Sequence, residues 1–134
     1  MSERRLEGVR ILIVDDDPDV LSSMDLALRG EGAATTTVAD GNAAVLSFQA
    51  SPPELVVLDM MLPKRSGFLV LEKINETESP PPVIMVTANQ GHRHQAYASA
   101  LGVSAYLNKP VSLQRLLDVA IGLVVPDQSD EPAP

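Results

Sequence analysis

Five short runs of branched apolar residues, set apart by longer stretches, limit this chain more than any other feature. They are VRILIV (9–14), TTTV (35–38), LVVL (55–58), VIMVT (83–87) and AYL (105–107). LVVL is apolar throughout, as a strand covered on both faces has to be, and VRILIV and VIMVT are nearly so. TTTV is polar enough for an edge strand. The intervening stretches are long enough for crossover helices, so the pattern predicts an α/β domain with a mostly parallel sheet. Asp17 followed by Pro18 reads as an N-cap with proline at the first helical position. Gly30 and Gly32 suit the end of that helix, and Val20, Leu21, Met24 and Leu28 its buried stripe. Leu113, Leu116, Leu117, Ala120, Ile121 and Val124 recur at helical spacing and give the last helix, with Ser112 as cap. The segment 89–101 is the least periodic of the five expected helices. The tail after Val125, PDQSDEPAP, has nothing to bury and is expected to be disordered or to begin a linker.

The chain has 134 residues, 45% of them hydrophobic, enough for one core and too few for two ordinary domains. Residues 1–125 are therefore read as one domain and 126–134 as tail. Eighteen acidic against ten basic side chains give a net charge of −8, which disfavours nucleic acid phosphates and anionic membranes as direct partners. Cysteine is absent, so disulfides and thiolate metal sites are excluded. The N-terminus carries no apolar run long enough for a signal peptide or membrane span, and a soluble, cytoplasmic protein is expected.

Ligands of open parallel sheets sit beyond the carboxyl ends of the strands. The first run ends at Asp15 and Asp16, the third at Asp59, the fourth at Thr87 and the fifth at Lys109 before Pro110. One rim thus collects three carboxylates, a hydroxyl and an ammonium. Clustered carboxylates repel one another unless a cation neutralises them, and an all-oxygen donor set suits Mg2+ or Mn2+. An aspartate oxygen beside such a cation can attack phosphorus, while the lysine and hydroxyl stabilise the phosphoryl oxygens, so the set points to phosphoryl transfer onto a carboxylate. Taken singly, each residue has an ordinary role as a cap, strand residue or solvated charge. His92 and His94 lack further ligands nearby and receive no function. Lys64 and Arg65 follow Asp59 closely enough to meet an anionic donor, although solvation is the simpler role for loop cations.

ILIVDD, LVVLDMMLPKRSG, VIMVTA and AYLNKP, in that order, resemble the receiver domains of two-component response regulators over roughly Val9 to Val125. The resemblance implies a single doubly wound, flavodoxin-like (βα)5 domain with sheet order 2-1-3-4-5. It implies that Asp59 accepts the phosphoryl group and that Asp15, Asp16, Asp59 and the backbone carbonyl of Met61 hold magnesium. Lys109 would contact the phosphoryl group, and Thr87 and Tyr106 would form a switch that alters the face made by the helix over 89–101, the fifth strand and the last helix. A cis Lys109–Pro110 bond is also implied. The donor would be a sensor histidine kinase or a histidine phosphotransfer protein, and the target a protein bound through that face, with the chain monomeric or dimerising on phosphorylation. Such a chain catalyses only its own phosphorylation and dephosphorylation. Nothing here resembles a DNA-binding helix-turn-helix, so output is expected through another protein, unless the chain is part of a longer regulator.

Two other readings use the same residues. "ILIVDDDPD" also fits the DxD strand of haloacid dehalogenase-like phosphohydrolases, with Asp15 as nucleophile and Asp17 as general acid. That family needs a further acidic pair after its lysine, whereas only Asp118 and the tail acids follow Lys109 here. A phosphorylation-independent interaction module would keep the fold and leave Asp59, Thr87 and Lys109 without a purpose.

Overall fold

The structure, a computed structural model, describes residues 4–88 and 102–124. The described elements are five parallel strands and four helices: β1 (Arg10–Val14), α1 (Pro18–Gly30), β2 (Ala34–Val38), α2 (Gly41–Ala50), β3 (Leu55–Asp59), α3 (Gly67–Asn75), β4 (Val83–Thr87), β5 (Ala105–Asn108) and α4 (Leu113–Val124). The sheet order is β2-β1-β3-β4-β5, as expected for the flavodoxin-like fold. Each strand lies within a residue or two of its apolar run, and TTTV occupies an edge. The helix expected over 89–101 and the tail 126–134 lie outside the described residues, as do His92 and His94. Among the described residues no helix is long and apolar enough to cross a membrane.

Strand side chains alternate between faces, and two hydrophobic layers result. Ile11, Ile13, Leu55, Val57, Ile84 and Val86 pack with Met24 and Leu28 of α1 and Leu116 and Ala120 of α4. Leu12, Val14, Val56, Leu58, Val83 and Met85 pack on the other side with α2 and α3. β3 and β4 are buried along their whole length, which is why their sequences show no polar alternation. In α4, Leu113 is more exposed than its place in the periodic stripe suggests, because the helix presents its core face only from Leu116 onward.

Helix starts follow the local chemistry. The Asp17 carboxylate accepts from the Asp19 and Val20 amides, Asp40 from Ala43, Ser66 from Leu69 and Ser112 from Arg115. Gly67, the first residue of α3, fits where a Cβ would overlap the Asp59 carbonyl oxygen and lie 2.7 Å from Met60 Cα. Glycine is required there by close approach. Its amide donates to the Met60 carbonyl at 2.9 Å, so the β3–α3 loop folds directly back on the strand end.

The sequence pattern gave no sign of the N-terminal anchor. Leu6, ahead of the first strand, is fully buried against the α1–α4 layer. Its amide donates to the Glu31 carbonyl at 2.8 Å, and Gly8 donates to Gly32 at 3.0 Å, clasping the segment to the α1–β2 turn. Removing a buried leucine side chain leaves a cavity and forfeits its transfer free energy. Leu6→Ala is therefore expected to lower unfolding stability by about 2–4 kcal/mol, measured by urea denaturation; a change within about 0.5 kcal/mol, the usual range for surface positions, would show that the clasp is not part of the core.

Candidate functional site

The strand order reverses beside β1, which lies between β2 and β3, and that reversal opens a crevice at the carboxyl ends of β1 and β3. Val14 pairs with Leu58 in register, so Asp15 and Asp59 emerge side by side. Thr87 ends β4, with Asn108 of β5 opposite it, and the Lys109 amide donates to the Thr87 carbonyl at 2.8 Å. That bond aims the Lys109 side chain at the aspartates. The Lys109–Pro110 peptide is cis, as expected.

The three consecutive aspartates divide into three roles. Asp15 is fully buried, and its Oδ1 accepts from the Asp17 amide at 2.9 Å. Asp16 is exposed at the rim. Asp17 caps α1, which leaves its carboxylate engaged and unsuited to the general-acid role that the phosphohydrolase reading requires.

Lys109 Nζ lies 3.0 Å from Asp15 Oδ2 and 3.3 Å from Asp59 Oδ2. One ammonium thus serves two buried carboxylates. Asp59 Oδ1 accepts from the Met61 amide at 3.1 Å. Burial is the largest influence on Asp59 and raises its pKa from 3.8 to about 6. The Met61 amide and Lys109 oppose that rise, and the Asp15 charge adds to it. For Lys109, burial works to lower the pKa, but Asp15 and Asp59 outweigh it and hold the group above its ordinary value.

The donor set fits a hard divalent cation. Asp15, Asp16 and Asp59 each offer a carboxylate oxygen within 4.8 Å of the others. Three carboxylates against one ammonium leave two negative charges. Beyond its ion-pair contact with Lys109, buried Asp15 Oδ2 receives no hydrogen bond among the described residues, the condition a bound cation relieves. Receiver domains bind Mg2+ at such a cluster of aspartates.

Thr87 is fully buried, and its hydroxyl donates to Met60 Sδ at 3.9 Å. Tyr106 is half-buried against the α2–α3 layer and shares a hydrogen bond with Thr87, and burial raises its pKa. The structure therefore brings Asp15, Asp16, Asp59, Thr87 and Lys109 to one rim, with Tyr106, two residues before the end of β5, joined to it through Thr87. Met61 contributes its backbone there while its side chain is 60% exposed. Lys64 and Arg65 instead turn toward α2: Lys64 Nζ lies 3.9 Å from Asp40, and Arg65 Nε donates to Asn42 at 3.2 Å. Sequence reasoning missed Met60: counting by twos from Val56 puts it on the face of Leu58, and only the pairing of β3 with β4 puts Thr87 on that face as well.

A group whose pKa is raised on folding supports stability below its unfolded pKa and withdraws that support as pH rises through its folded pKa. For Asp59 the window runs from 3.8 to about 6. The shift of about two units corresponds to at most ~3 kcal/mol at neutral pH, reduced in a mutant because Lys109 gives up one counter-ion. Asp59→Asn is expected to be more stable than wild type by about 1–2 kcal/mol at pH 7.5 in EDTA, with the difference closing by pH 4. Urea denaturation at the two pH values checks this, and a gap independent of pH contradicts it.

The comparisons agree with this geometry. A family model described as response regulator receiver domain matches residues 11–121. Among curated relatives, the DNA-binding response regulator MtrA of Mycolicibacterium smegmatis is 33% identical over 124 residues, covering 92% of this chain and 54% of that protein. The transcriptional regulatory protein TcrA of Mycobacterium tuberculosis is 38% identical over 112 residues, covering 84% of this chain and 44% of its own. The chain spans about half the length of these relatives. Among solved structures, the receiver domain of the Pseudomonas aeruginosa sensor histidine kinase PA1611, with magnesium coordinated in its active-site cleft, aligns with a TM-score of 0.80 at 28% identity, covering 87% and 98% of the two chains. A CheY-like receiver domain protein from Methanospirillum hungatei aligns with a TM-score of 0.79 at 30% identity, covering 84% and 90%. With its sheet order, its aspartate cluster and a family match over most of its length, the chain belongs to the response regulator receiver domains of two-component signalling.

Proposed function

We propose that Asp59 accepts a phosphoryl group from a phosphohistidine on a sensor histidine kinase or a histidine phosphotransfer protein. The observation that carries this reading is the setting of Asp59: a buried carboxylate at the strand crossover, held through Oδ1 by the Met61 amide and through Oδ2 by Lys109. An Asp59 carboxylate oxygen attacks phosphorus, the phosphorus–nitrogen bond breaks, and the imidazole leaves. Lys109 is placed to pair with the incoming phosphoryl oxygens once its contact with Asp59 loosens. Asp15, Asp16, Asp59 and the Met61 carbonyl are the residues that would hold magnesium, which when bound offsets the negative charge of donor and acceptor.

After transfer, the Thr87 hydroxyl donates to a phosphoryl oxygen and Tyr106 follows inward. Loss of charge balance at the rim is thereby read as movement on the face that carries β5 and α4. That face engages a target protein. MtrA and TcrA are DNA-binding and transcriptional regulators, so within a longer protein the same face would govern a DNA-binding domain.

Intact mass after incubation with magnesium and acetyl phosphate tests the assignment. One phosphoryl adduct is expected on wild type and none on Asp59→Asn or in EDTA. An adduct that survives Asp59→Asn but disappears in Asp15→Asn would move the nucleophile to β1. No adduct on folded wild type would favour the interaction module. The exposed Met61 side chain has no hydrogen-bond donor to orient an attacking water, so the adduct is expected to last minutes or longer; decay within seconds would overturn that role.

A further inference from the structure

The loop that follows β3 is tied to the strand at its inner end and leans on α2 at its outer one. At the inner end the Met60 amide donates to the Val86 carbonyl at 3.0 Å, and the Met60 carbonyl accepts from Gly67, which itself fits over the Asp59 carbonyl. At the outer end the Gly41 amide, at the start of α2, donates to the Pro63 carbonyl at 3.3 Å, and the Arg65 amide donates to the same oxygen at 2.7 Å. Lys64 lies between Pro63 and Arg65 with φ 69°, the one positive-φ residue besides glycines among the described residues. A bond from residue 65 back to residue 63 across a positive φ is a γ-turn of the rare, strained hand. Strain of this kind persists only where the surroundings enforce it. The first turn of α2 supplies that enforcement. A Cβ on Gly41 would overlap the Arg65 carbonyl oxygen and lie 2.6 Å from Arg65 Cβ and 2.7 Å from its carbonyl carbon, so the loop backbone rests directly on the glycine. Asp40 and Asn42, on either side of it, hold the Lys64 and Arg65 side chains.

We propose that Gly41 is a positioning residue for the cation at the aspartate cluster: by seating the strained turn at Lys64, it fixes where the loop presents the Met61 backbone. This rests on the function proposed above, in which the Met61 carbonyl joins Asp15, Asp16 and Asp59 around magnesium. The Met61 amide is already engaged, donating to Asp59 Oδ1 at 3.1 Å, so the same stretch of backbone governs the acceptor carboxylate. Gly41 has no side chain to offer the cation, and its influence travels through the loop. With the end of β3 and Gly67 both fixed, a side chain at position 41 is accommodated only by shifting residues 61–65 or by moving the first turn of α2 off them. Either change loosens the Met61 backbone. A small, hard cation that demands near-octahedral geometry tolerates little displacement of an oxygen ligand.

Mn2+ takes the same octahedral oxygen shell as Mg2+ and can be titrated by water proton relaxation into wild type, Gly41→Ala, Lys64→Pro and Leu6→Ala, with far-UV circular dichroism reporting the folded fraction. Gly41→Ala is expected to bind Mn2+ about tenfold more weakly than wild type, the low end of what groups supporting metal ligands contribute. Leu6→Ala, destabilised in the opposite hydrophobic layer, should bind as wild type does when folded, which separates loss of position from loss of stability. Lys64→Pro imposes a φ of about −65°, abolishes the turn without adding anything at Gly41, and is expected to weaken binding as well; it decides the matter if Gly41→Ala does not fold. Removing the lysine charge by itself would favour a cation, so weaker binding by Lys64→Pro is not a charge effect. Wild-type affinity in folded Gly41→Ala, or in folded Lys64→Pro, overturns the proposal. Folded wild type that binds no Mn2+ would overturn the cation site itself, and with it this role of Gly41.

Discussion

One ammonium shared by two buried carboxylates is the contact on which the rest of this site depends. Lys109 reaches Asp15 and Asp59 only because β1 and β3 are neighbours in register and the turn after β5 is tied to Thr87. The pairing is incomplete. Exposed Asp16 adds a third carboxylate to the cluster without a contact to Lys109 among the described ion pairs, and a buried oxygen of Asp15 has no other donor among the described residues. A fold that buried such a set for stability alone would be poorly served, since desolvation of paired charges commonly offsets their attraction. The residual charge instead makes the crevice responsive to whatever cation or phosphoryl group enters it.

That responsiveness needs a rigid frame. β3 and β4 are buried throughout, and their last residues are connected by the ladder to one another and to β5. Gly67 permits α3 to begin against the Asp59 carbonyl, so the Met61 amide stays within reach of the Asp59 side chain. Thr87, Met60 and Tyr106 project from the same side of the sheet, where a change at the rim is felt by packed neighbours rather than by solvent. Such packing transmits small displacements because interiors have little free volume to absorb them.

The triple aspartate shows how backbone geometry divides identical residues. Asp15 continues the strand and is buried, Asp16 faces outward, and Asp17 accepts the first amides of α1. Proline at the next position needs no amide partner, so the cap and the helix start coincide. Like charges three in a row are thus tolerable because only the first is held inside, next to Lys109, while the third is neutralised in part by helix amides.

Strands, their order of appearance, the edge position of TTTV, the Asp17 cap and the polar residue at each strand end were legible in the sequence, because alternation, propensity and capping are local properties of a chain. The set Asp15, Asp16, Asp59, Thr87 and Lys109 was legible too, since parallel strands deliver their carboxyl ends to one rim whatever their order. Other features belong to the tertiary structure alone. The burial of Leu6 depends on where α1 ends, the turning of Lys64 and Arg65 toward α2 depends on how the β3–α3 loop packs, and the division of Lys109 between two carboxylates depends on distances no spacing encodes. Met60 is the clearest case. In sequence it is one more apolar residue after an aspartate; only strand register places its sulfur on the Thr87 hydroxyl, because contacts across a sheet are set by pairing between segments far apart in the chain.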